Sequence, residues 1–205
     1  IEIKLSQGAK PGKGGILPAQ KVNAQIAQIR GIPEGKAAIS PNRHVDAGTP
    51  SELLNLIDKV RRASGRPTGI KFVVGNMQPI EALITEIIKR GPQSAPDFIT
   101  IDSGDGGTGA APMPLIDNVG LTIREGLPLM DDLLRKYGLR ERIRLIASGK
   151  LITPAEVAWA FCAGADFVNA ARGFMFALGC IQALKCNENT CPTGITTHDK
   201  RLQRG

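Results

Sequence analysis

The apolar residues of this chain fall into short continuous runs separated by longer stretches with helical spacing. Five runs have the length and composition of buried strands: residues 1–6, 70–74, 98–102, 143–147 and 167–170. Between them, apolar side chains recur every three or four residues, most regularly at 80–88 and 127–137. Strands that alternate with helices in this way predict a parallel sheet with helices packed outside it.

The sequence also marks where several helices begin and end. Thr49 and Thr153 each precede a proline and stand three residues before a glutamate. That spacing is typical of a helix N-terminus closed by a capping box, with proline at the first helical position. Glycines that favour a left-handed cap follow the predicted helices: Gly65, Gly91, Gly138 and Gly164.

The unusual loops all follow the predicted strands, whereas the loops that precede the strands are plain. An open doubly wound sheet and a closed barrel both fit the alternation, and in a barrel the chemistry lies on the loops after the strands. We therefore predict an α/β fold of the (β/α)8 TIM barrel type. Residues 1–205 are expected to form a single domain, the C-terminal part of such a barrel. It would cover about the last five βα units, with about three units ahead of Ile1.

Composition narrows the function classes. Of the 205 residues, 42% are hydrophobic and 22% are charged, as in ordinary globular proteins. The net charge of +7 is compatible with nucleic-acid binding, but aromatic residues make up only 4% and the basic residues are scattered. We predict no nucleic-acid partner and expect some of the cations to face anionic small molecules.

No apolar run approaches 18 residues, and no signal-peptide pattern is present. We therefore expect no membrane span in this chain and a cytoplasmic location.

Two short loops, 148–150 and 171–173, follow the last two predicted strands. Barrels often bind phosphate at this position, through glycine backbone N–H groups and added cations. Lys150 and Arg172 supply the cations here. The alternative is that both segments are tight turns that need glycine only for its backbone freedom.

Three further features indicate a ligand site. The loop 103–109 is rich in glycine and would let a flat ligand approach the backbone, unless it is simply a flexible connector. Lys71 interrupts an apolar strand, so it needs an anionic partner such as the ring edge of a flavin, unless it reaches solvent. Gln7, Lys10 and Arg30 together could bind a dicarboxylate, although residues such as Arg30 and the nearby Lys13 are more often surface charges.

Three cysteines near the C-terminus form the run C-x5-C-x4-C: Cys180, Cys186 and Cys191. Their odd number disfavours a disulfide. Structural zinc would need a fourth ligand, for which His198 is available. An iron–sulfur cluster with three irons takes one thiolate per iron, so three cysteines suit it. Cys162 stands apart in a helical pattern and is expected to be a small buried hydrophobe.

Several stretches together make the chain recognisable. It closely resembles the FMN-binding synthase domain of glutamate synthases and the glutamate-synthase-like FMN proteins. The shared stretches are KLSQGAKPGKGGILP (4–18), ISPNRH (39–44), IDSGDGGTGAAP (101–112), TIREGLP (122–128), GLRERIRLIASGK (138–150) and GCIQALKCNENTCPTGITT (179–197).

The resemblance implies an oxidoreductase that uses FMN and a 3Fe-4S cluster. In that family, 2-oxoglutarate and ammonia give 2-iminoglutarate, which reduced FMN converts to L-glutamate by hydride transfer. The resemblance assigns the substrate contacts to Gln7, Lys10 and Arg30 and the cluster ligands to Cys180, Cys186 and Cys191, within an iron–sulfur loop at 180–191. It assigns the FMN-binding contacts to the following residues: Lys71, Asp105, Gly106, Gly107, Thr108, Ser148, Gly149, Lys150, Arg172 and Gly173.

The same resemblance implies an electron-donor protein, either an NAD(P)H-linked subunit or ferredoxin, and nitrogen from ammonia or glutamine. No glutaminase segment with an N-terminal cysteine is present in this sequence. Two alternatives stay open: another FMN-dependent barrel oxidoreductase with a different substrate, and a non-enzymatic metal-binding module.

Overall fold

A computed structural model, which describes residues 1–106 and 111–204, shows a parallel sheet covered by helices on one face. The strands are β1 (Glu2–Lys4), β2 (Ile16–Leu17), β3 (Ala38–Ile39), β4 (Gly69–Val73), β5 (Phe98–Asp102), β6 (Arg144–Ser148) and β7 (Phe167–Asn169). The α-helices are α1 (Ala24–Arg30), α2 (Pro50–Ser64), α3 (Gln78–Arg90), α4 (Ile123–Lys136), α5 (Pro154–Cys162) and α6 (Ala171–Ala177).

The main sheet has five parallel strands in the order β1-β4-β5-β6-β7. All five predicted strands are therefore confirmed, with small differences at their ends. Each strand lies beside the one before it in this set, with no reversal of direction across the sheet. A doubly wound sheet would reverse its strand order at a switch point, so the observed order favours a segment of a barrel.

The two faces of this sheet differ sharply in polarity. Side chains such as Ile70, Ile99 and Leu145 lie on one face and are buried against the helices in the hydrophobic core. The other face carries Lys71 in register with Thr100, and in a parallel pair such residues point the same way. The sheet thus has an apolar outer side and a mixed inner side that carries its charged and polar residues.

Local signals explain the helix boundaries. The capping boxes predicted at Thr49 and Thr153 are both present, each with its glutamate bonded back to the threonine. A third box, Thr122 with Glu125, opens α4. Gly65 caps α2 in the left-handed conformation, and Gly91 ends α3.

Two predictions about the C-terminal half are corrected. Residues 171–173 do not form a loop, because they are the first turn of α6. Cys162 is exposed, not buried, because α5 is apolar around most of its circumference and turns Ala160, not Cys162, toward the core.

The second small sheet, β2 paired antiparallel with β3, was not predicted. It folds the glycine-rich segment 12–15 back against Ser40, where a Cβ on Gly14 would meet the Ser40 carbonyl oxygen at 2.0 Å. Within residues 1–106 and 111–204, no helix is long and apolar enough to cross a membrane.

Asp131 and Asp97 anchor two clusters of ion pairs. Asp131 accepts hydrogen bonds from Arg135 and Arg140, and Asp97 accepts from Arg61 and Arg142. Burial raises the pKa of each carboxyl, but the hydrogen bonds outweigh it and hold both pKa values below the usual 3.8. The side chains of Arg140 and Asp131 are each only 11% exposed, so their pairing is shielded from solvent.

A carboxyl whose pKa is depressed by folding stabilises the protein above its unfolded-state pKa and loses that contribution as pH falls through its folded-state pKa. We therefore expect the free energy of unfolding to fall as pH drops below about 3.8, the usual pKa of an aspartate. Asp131→Asn should cost about 2 kcal/mol at pH 7 and should flatten this acid dependence. Urea unfolding of the wild type and of Asp131→Asn at pH 7 and pH 3 measures both effects. An equal pH dependence in the two proteins would show that Asp131 does not contribute to the acid sensitivity.

Candidate functional site

A cleft of about 380 Å³ lies at the C-terminal ends of the parallel strands. Each of the five strands contributes one lining residue from its inner face: Lys4, Lys71, Asp102, Ser148 and Asn169. Gln7, Gly106, Gly149, Lys150 and Arg172 complete much of the wall. The structure therefore brings most of the predicted flavin-side residues into one cleft at the end of the sheet where barrels hold their chemistry.

A larger cavity of about 480 Å³ lies between the starts of α2 and α3. Among the described residues its lining is mostly apolar and includes no charged side chain. The smaller cleft is the better candidate because it gathers charged and polar groups from separate elements.

The inner end of the cleft is cationic. Lys4 and Lys71 stand in register on neighbouring strands. Lys71 Nζ pairs with Glu2 Oε1 at 3.3 Å, and Lys4 Nζ donates to Gln7 Oε1 at 3.0 Å. Desolvation lowers the pKa of Lys4, and the charges of Lys71 and Lys10 lower it further. Asp102 and Glu2 oppose this effect, so burial is the main cause of the lowered pKa. An anionic ligand beside Lys4 would favour its charged form.

Lys71 therefore has a partner in Glu2, which the sequence reasoning did not identify. Glu2 also accepts a hydrogen bond from Thr100 Oγ1 at 2.6 Å. This chain of contacts fixes the Lys71 side chain across the inner face of the sheet.

The outer end of the cleft is built on a close approach between two loops. Gly149 has φ 139°, and a Cβ placed on it would lie 2.2 Å from Ser103 Cβ. The next residue, Lys150, has φ 45°, and its Nζ lies 3.5 Å from Asp105 Oδ2. Glycine is thus required at 149, and Lys150 is held over the 103–106 loop.

Arg172 brings a second cation to this end from the first turn of α6. Its guanidinium lies 5.9 Å from the ring centre of Phe176. Gly173 does not line the cleft, since its nearest neighbours belong to Ile152. Lys150 and Arg172 together offer two cations to a phosphate.

The loop after β5 is tied down by its own polar groups. The Ser103 hydroxyl bonds Asp105 Oδ1 and accepts from the Ile123 N–H at 2.9 Å. Asp105 does not itself line the cleft, but it positions Lys150. Gly107 and Thr108, the other predicted residues of this loop, lie outside the described part of the chain.

The loop after β1 packs against the end of β5 and the loop that follows it. The Gly8 N–H donates to Asp102 Oδ2 at 2.8 Å, and a Cβ on Gly8 would lie 1.8 Å from the Ser103 carbonyl oxygen. Gln7 lines the cleft, and Lys10 is buried near Lys4. Arg30 is exposed at the end of α1 and does not line the cleft, so its place in a substrate site stays a prediction.

The three cysteines of the C-terminal run line one small cavity of about 30 Å³. That cavity shares Arg172, Met175, Cys180 and Cys186 with the larger cleft. The sulfur-bearing segment and the cationic cleft therefore have a common wall.

Cys191 is the most deeply buried of the three. Hydrogen bonds from Thr193 and Thr196 lower the pKa of Cys191 to about 6, and its Sγ lies 3.4 Å from Thr193 Oγ1. A thiol with that pKa is largely thiolate at neutral pH, which is the form that binds metal.

The same cavity contains a poorly satisfied polar group. The hydroxyl of Thr196 is buried, and apart from a loose contact with the Cys191 sulfur it makes no hydrogen bond to any described residue. A buried hydroxyl that lacks a full hydrogen bond costs free energy. A sulfide or thiolate in the cavity would accept its proton, so the donor set fits an iron–sulfur group.

Within the described ranges, no three His, Cys, Asp or Glu side chains converge closely enough to hold a single metal ion. His198, the alternative fourth zinc ligand, is exposed and does not line the cysteine cavity. The described geometry therefore does not support a single zinc ion held by the cysteines and His198.

Sequence reasoning missed Lys4, Asp102 and Asn169 as lining residues. The signal was available for the first two, because they are polar positions on the same alternating face as Lys71. His44 lies in a loop, where its Nδ1 accepts a hydrogen bond from the Asp46 N–H at 3.3 Å.

Comparison with known proteins gives a family match over the whole chain. Residues 1–205 match the family model described as a conserved region in glutamate synthase. The chain is 48% identical over 204 residues to the glutamate synthase large subunit-like protein YerD of Bacillus subtilis, covering 100% of this chain and 38% of that protein. It is 40% identical over 204 residues to the archaeal glutamate synthase (NADPH) of Methanocaldococcus jannaschii, covering 98% of this chain and 39% of that protein.

The chain thus spans about two fifths of the length of these relatives. Among solved structures, a double mutant of flavocytochrome b2 with pyruvate bound matches with a TM-score of 0.50 and 18% identity. The match covers 88% of this chain and 38% of that one. At this identity the likeness bears on the fold alone, and it agrees with a segment of a (β/α)8 barrel.

Proposed function

This chain belongs to the glutamate synthase family, and from that premise we propose that it forms part of a glutamate synthase-type oxidoreductase. In this proposal the full-length protein makes L-glutamate from 2-oxoglutarate and ammonia by way of 2-iminoglutarate. One observation carries the proposal beyond family membership: the cavity lined by the three cysteines shares a wall with the cationic cleft.

The cleft has the features that FMN requires. Its volume falls within the range of about 300–1,000 Å³ that small-molecule sites occupy. Lys150 and Arg172 would hold the phosphate, and the close packing of Gly149 keeps the backbone near it. Lys71, Lys4 and Gly106 would face the ring. When bound, FMN would supply hydride transfer to the imine carbon of 2-iminoglutarate.

The protein's own contribution is to orient the reactants and balance their charge. Lys71, fixed by Glu2, and Lys4, fixed by Gln7, place two positive charges at the inner end of the cleft. These charges favour an electron-rich partner beside them. The tight packing of Gly8 and Gly149 on Ser103 excludes water from the space between the loops.

Gln7, Lys10 and Arg30 are proposed to bind 2-oxoglutarate. Gln7 lines the cleft, whereas Lys10 is a buried cation on the same loop that does not itself line it. A dicarboxylate needs such positive groups to replace its hydration.

Cys180, Cys186 and Cys191 are proposed to ligate a 3Fe-4S cluster, with Thr193 and Thr196 beside the Cys191 sulfur. Such a cluster would pass single electrons to the flavin. The electrons would come from a donor protein, either an NAD(P)H-linked subunit or ferredoxin. The nitrogen would be ammonia, free or derived from glutamine.

Lys10→Ala should raise the KM for 2-oxoglutarate by about tenfold or more, since a charge-assisted hydrogen bond contributes roughly 1.5–3 kcal/mol. Steady-state kinetics of the full-length protein would measure the change. Lys36→Ala removes an exposed lysine outside the cleft and serves as the control. An unaltered KM in Lys10→Ala would remove Lys10 from the substrate site.

The decisive assay measures glutamate formation by the full-length protein from 2-oxoglutarate with either ammonia or glutamine, using NADPH or reduced ferredoxin as reductant. The proposal predicts glutamate only when a reductant and a nitrogen source are both present. Flavin and iron in the purified protein without glutamate formation would favour another FMN-dependent reaction. Protein that contains metal but no flavin would favour a metal-binding module.

A further inference from the structure

Lys21 is a buried cation that none of the predicted roles explains. It ends the short 3-10 helix Ala19–Lys21, which follows the glycine-rich segment 12–15, and only 8% of its surface is exposed. Burying an ammonium is costly unless it is paired or fully hydrogen-bonded. The identity of its partners is therefore informative.

Both partners are backbone carbonyls of the cysteine segment. Lys21 Nζ donates to the Cys186 carbonyl oxygen at 2.5 Å and to the Thr196 carbonyl oxygen at 2.7 Å. These acceptors lie 165 and 175 residues away in sequence. One is a cysteine of the site, and the other is the residue whose hydroxyl is buried beside the Cys191 sulfur.

Lys21 thus joins the two ends of the segment that contains Cys191. The Cys186 carbonyl precedes that cysteine and the Thr196 carbonyl follows it, so a single ammonium binds both ends of the segment. The two bonds fix the backbone on which two of the three sulfurs are carried.

The charge of Lys21 is not balanced by a carboxylate. Among the described residues, the ion pairs within 4.0 Å do not include Lys21. Two carbonyl dipoles satisfy its hydrogen bonds but leave its full positive charge beside the cysteine cavity. Thiolates would supply the opposite charge.

We propose that Lys21 is a positioning residue for the cysteine site, which holds the Cys186–Thr196 segment in its binding geometry and offsets the negative charge of the bound thiolates. This inference rests on the proposed iron–sulfur function of the three cysteines. Groups that orient metal ligands from outside the coordination shell affect metal affinity by about 10- to 100-fold. Nearby charges and hydrogen bonds also set the reduction potential of a cluster.

The test compares three variants of the full-length protein with the wild type. Lys21→Met keeps the length of the side chain but removes its charge and its donors, whereas Lys21→Arg keeps the charge. Lys36→Met removes an exposed lysine outside the cysteine cavity and controls for the change in net charge. Three quantities are measured: the rate of iron release to a chelator, the reduction potential of the cluster, and amide hydrogen exchange across residues 186–197.

Lys21→Met should release iron about tenfold faster, lower the reduction potential and speed exchange within 186–197. Lys21→Arg should retain the wild-type potential, and Lys36→Met should match the wild type throughout. A merely structural lysine would lower the melting temperature without moving the potential. If Lys21→Met does not fold, Lys21→Arg decides through iron release, which should be faster than in the wild type at unchanged potential.

Wild-type rates and potential in Lys21→Met would overturn the role of Lys21 and leave the cluster intact. If Lys21→Met does not fold, an unchanged rate of iron release from Lys21→Arg would also overturn the role of Lys21. Wild-type protein that contains no iron would overturn the proposed cluster and this inference together, so the two failures are distinguishable.

Discussion

Cys186→Ser is expected to remove nearly all of the iron from the full-length protein and to lower glutamate formation by at least about a hundredfold, beyond the range typical of changes outside the coordination shell. Cys186 lines both the small cysteine cavity and the cationic cleft. A serine hydroxyl keeps the shape of the side chain but is a poor ligand for iron at neutral pH. FMN should stay bound, because Lys150 and Arg172 are unchanged.

The matched control is Cys162→Ser. Cys162 is exposed at the end of α5 and lines neither the cleft nor the cysteine cavity. Iron analysis, flavin absorbance and electron paramagnetic resonance of both variants complete the experiment. Full iron content in Cys186→Ser, or its loss in Cys162→Ser, would refute the ligand assignment.

Gly149→Ala is expected to destabilise the protein by about 3 kcal/mol and to release FMN. The new Cβ would lie 2.2 Å from Ser103 Cβ, so the two loops have to separate. Overpacking typically costs about 1–3 kcal/mol, and a left-handed backbone adds about 1–2 kcal/mol for a residue with a side chain. Separation of these loops also displaces Lys150 from the cleft.

Gly31→Ala separates the two contributions. Gly31 has φ 63°, but a Cβ there would meet nothing within 4 Å, so the variant carries the backbone cost without the collision. It should lose about 1–2 kcal/mol and keep its flavin. Urea unfolding and flavin retention on gel filtration measure both effects, and equal losses in the two variants would show that the contact with Ser103 is unimportant.

The elements that sequence predicted well have strong local signals. The capping boxes at Thr49 and Thr153 fix helix starts through bonds within one turn. The strands of the main sheet lie in short runs rich in Ile, Val, Leu and Phe, each followed by a glycine-containing segment. Such signals need no knowledge of distant contacts.

The elements that were missed lack those signals. α6 begins at Ala171, its N-cap residue Ala170 provides no side-chain hydrogen bond, and its first turn contains a glycine. β2 and β3 have two residues each and form only by pairing with one another. α5 is apolar around most of its circumference, so its periodicity could not show that Cys162 lies outward.

The residues of the site also differ in how well the sequence alone reveals them. Lys71 and the cysteines stand out because each is unusual in its own segment. Glu2 as the partner of Lys71, and Lys21 as the support of the Cys186 backbone, depend on contacts between distant segments. Only the folded arrangement reveals that the cysteine cavity and the cationic cleft share Arg172 and Met175.

The central claim is that the sulfur-lined cavity and the cationic cleft form one redox centre. Anomalous diffraction at the iron absorption edge, from crystals of the full-length protein with its cofactors, tests it most directly. The account predicts iron peaks bounded by Cys180, Cys186 and Cys191, and flavin density in the cleft between Lys71 and Lys150, on the other side of Met175. Flavin density with no iron at these cysteines, or iron at the opposite end of the barrel, would contradict it.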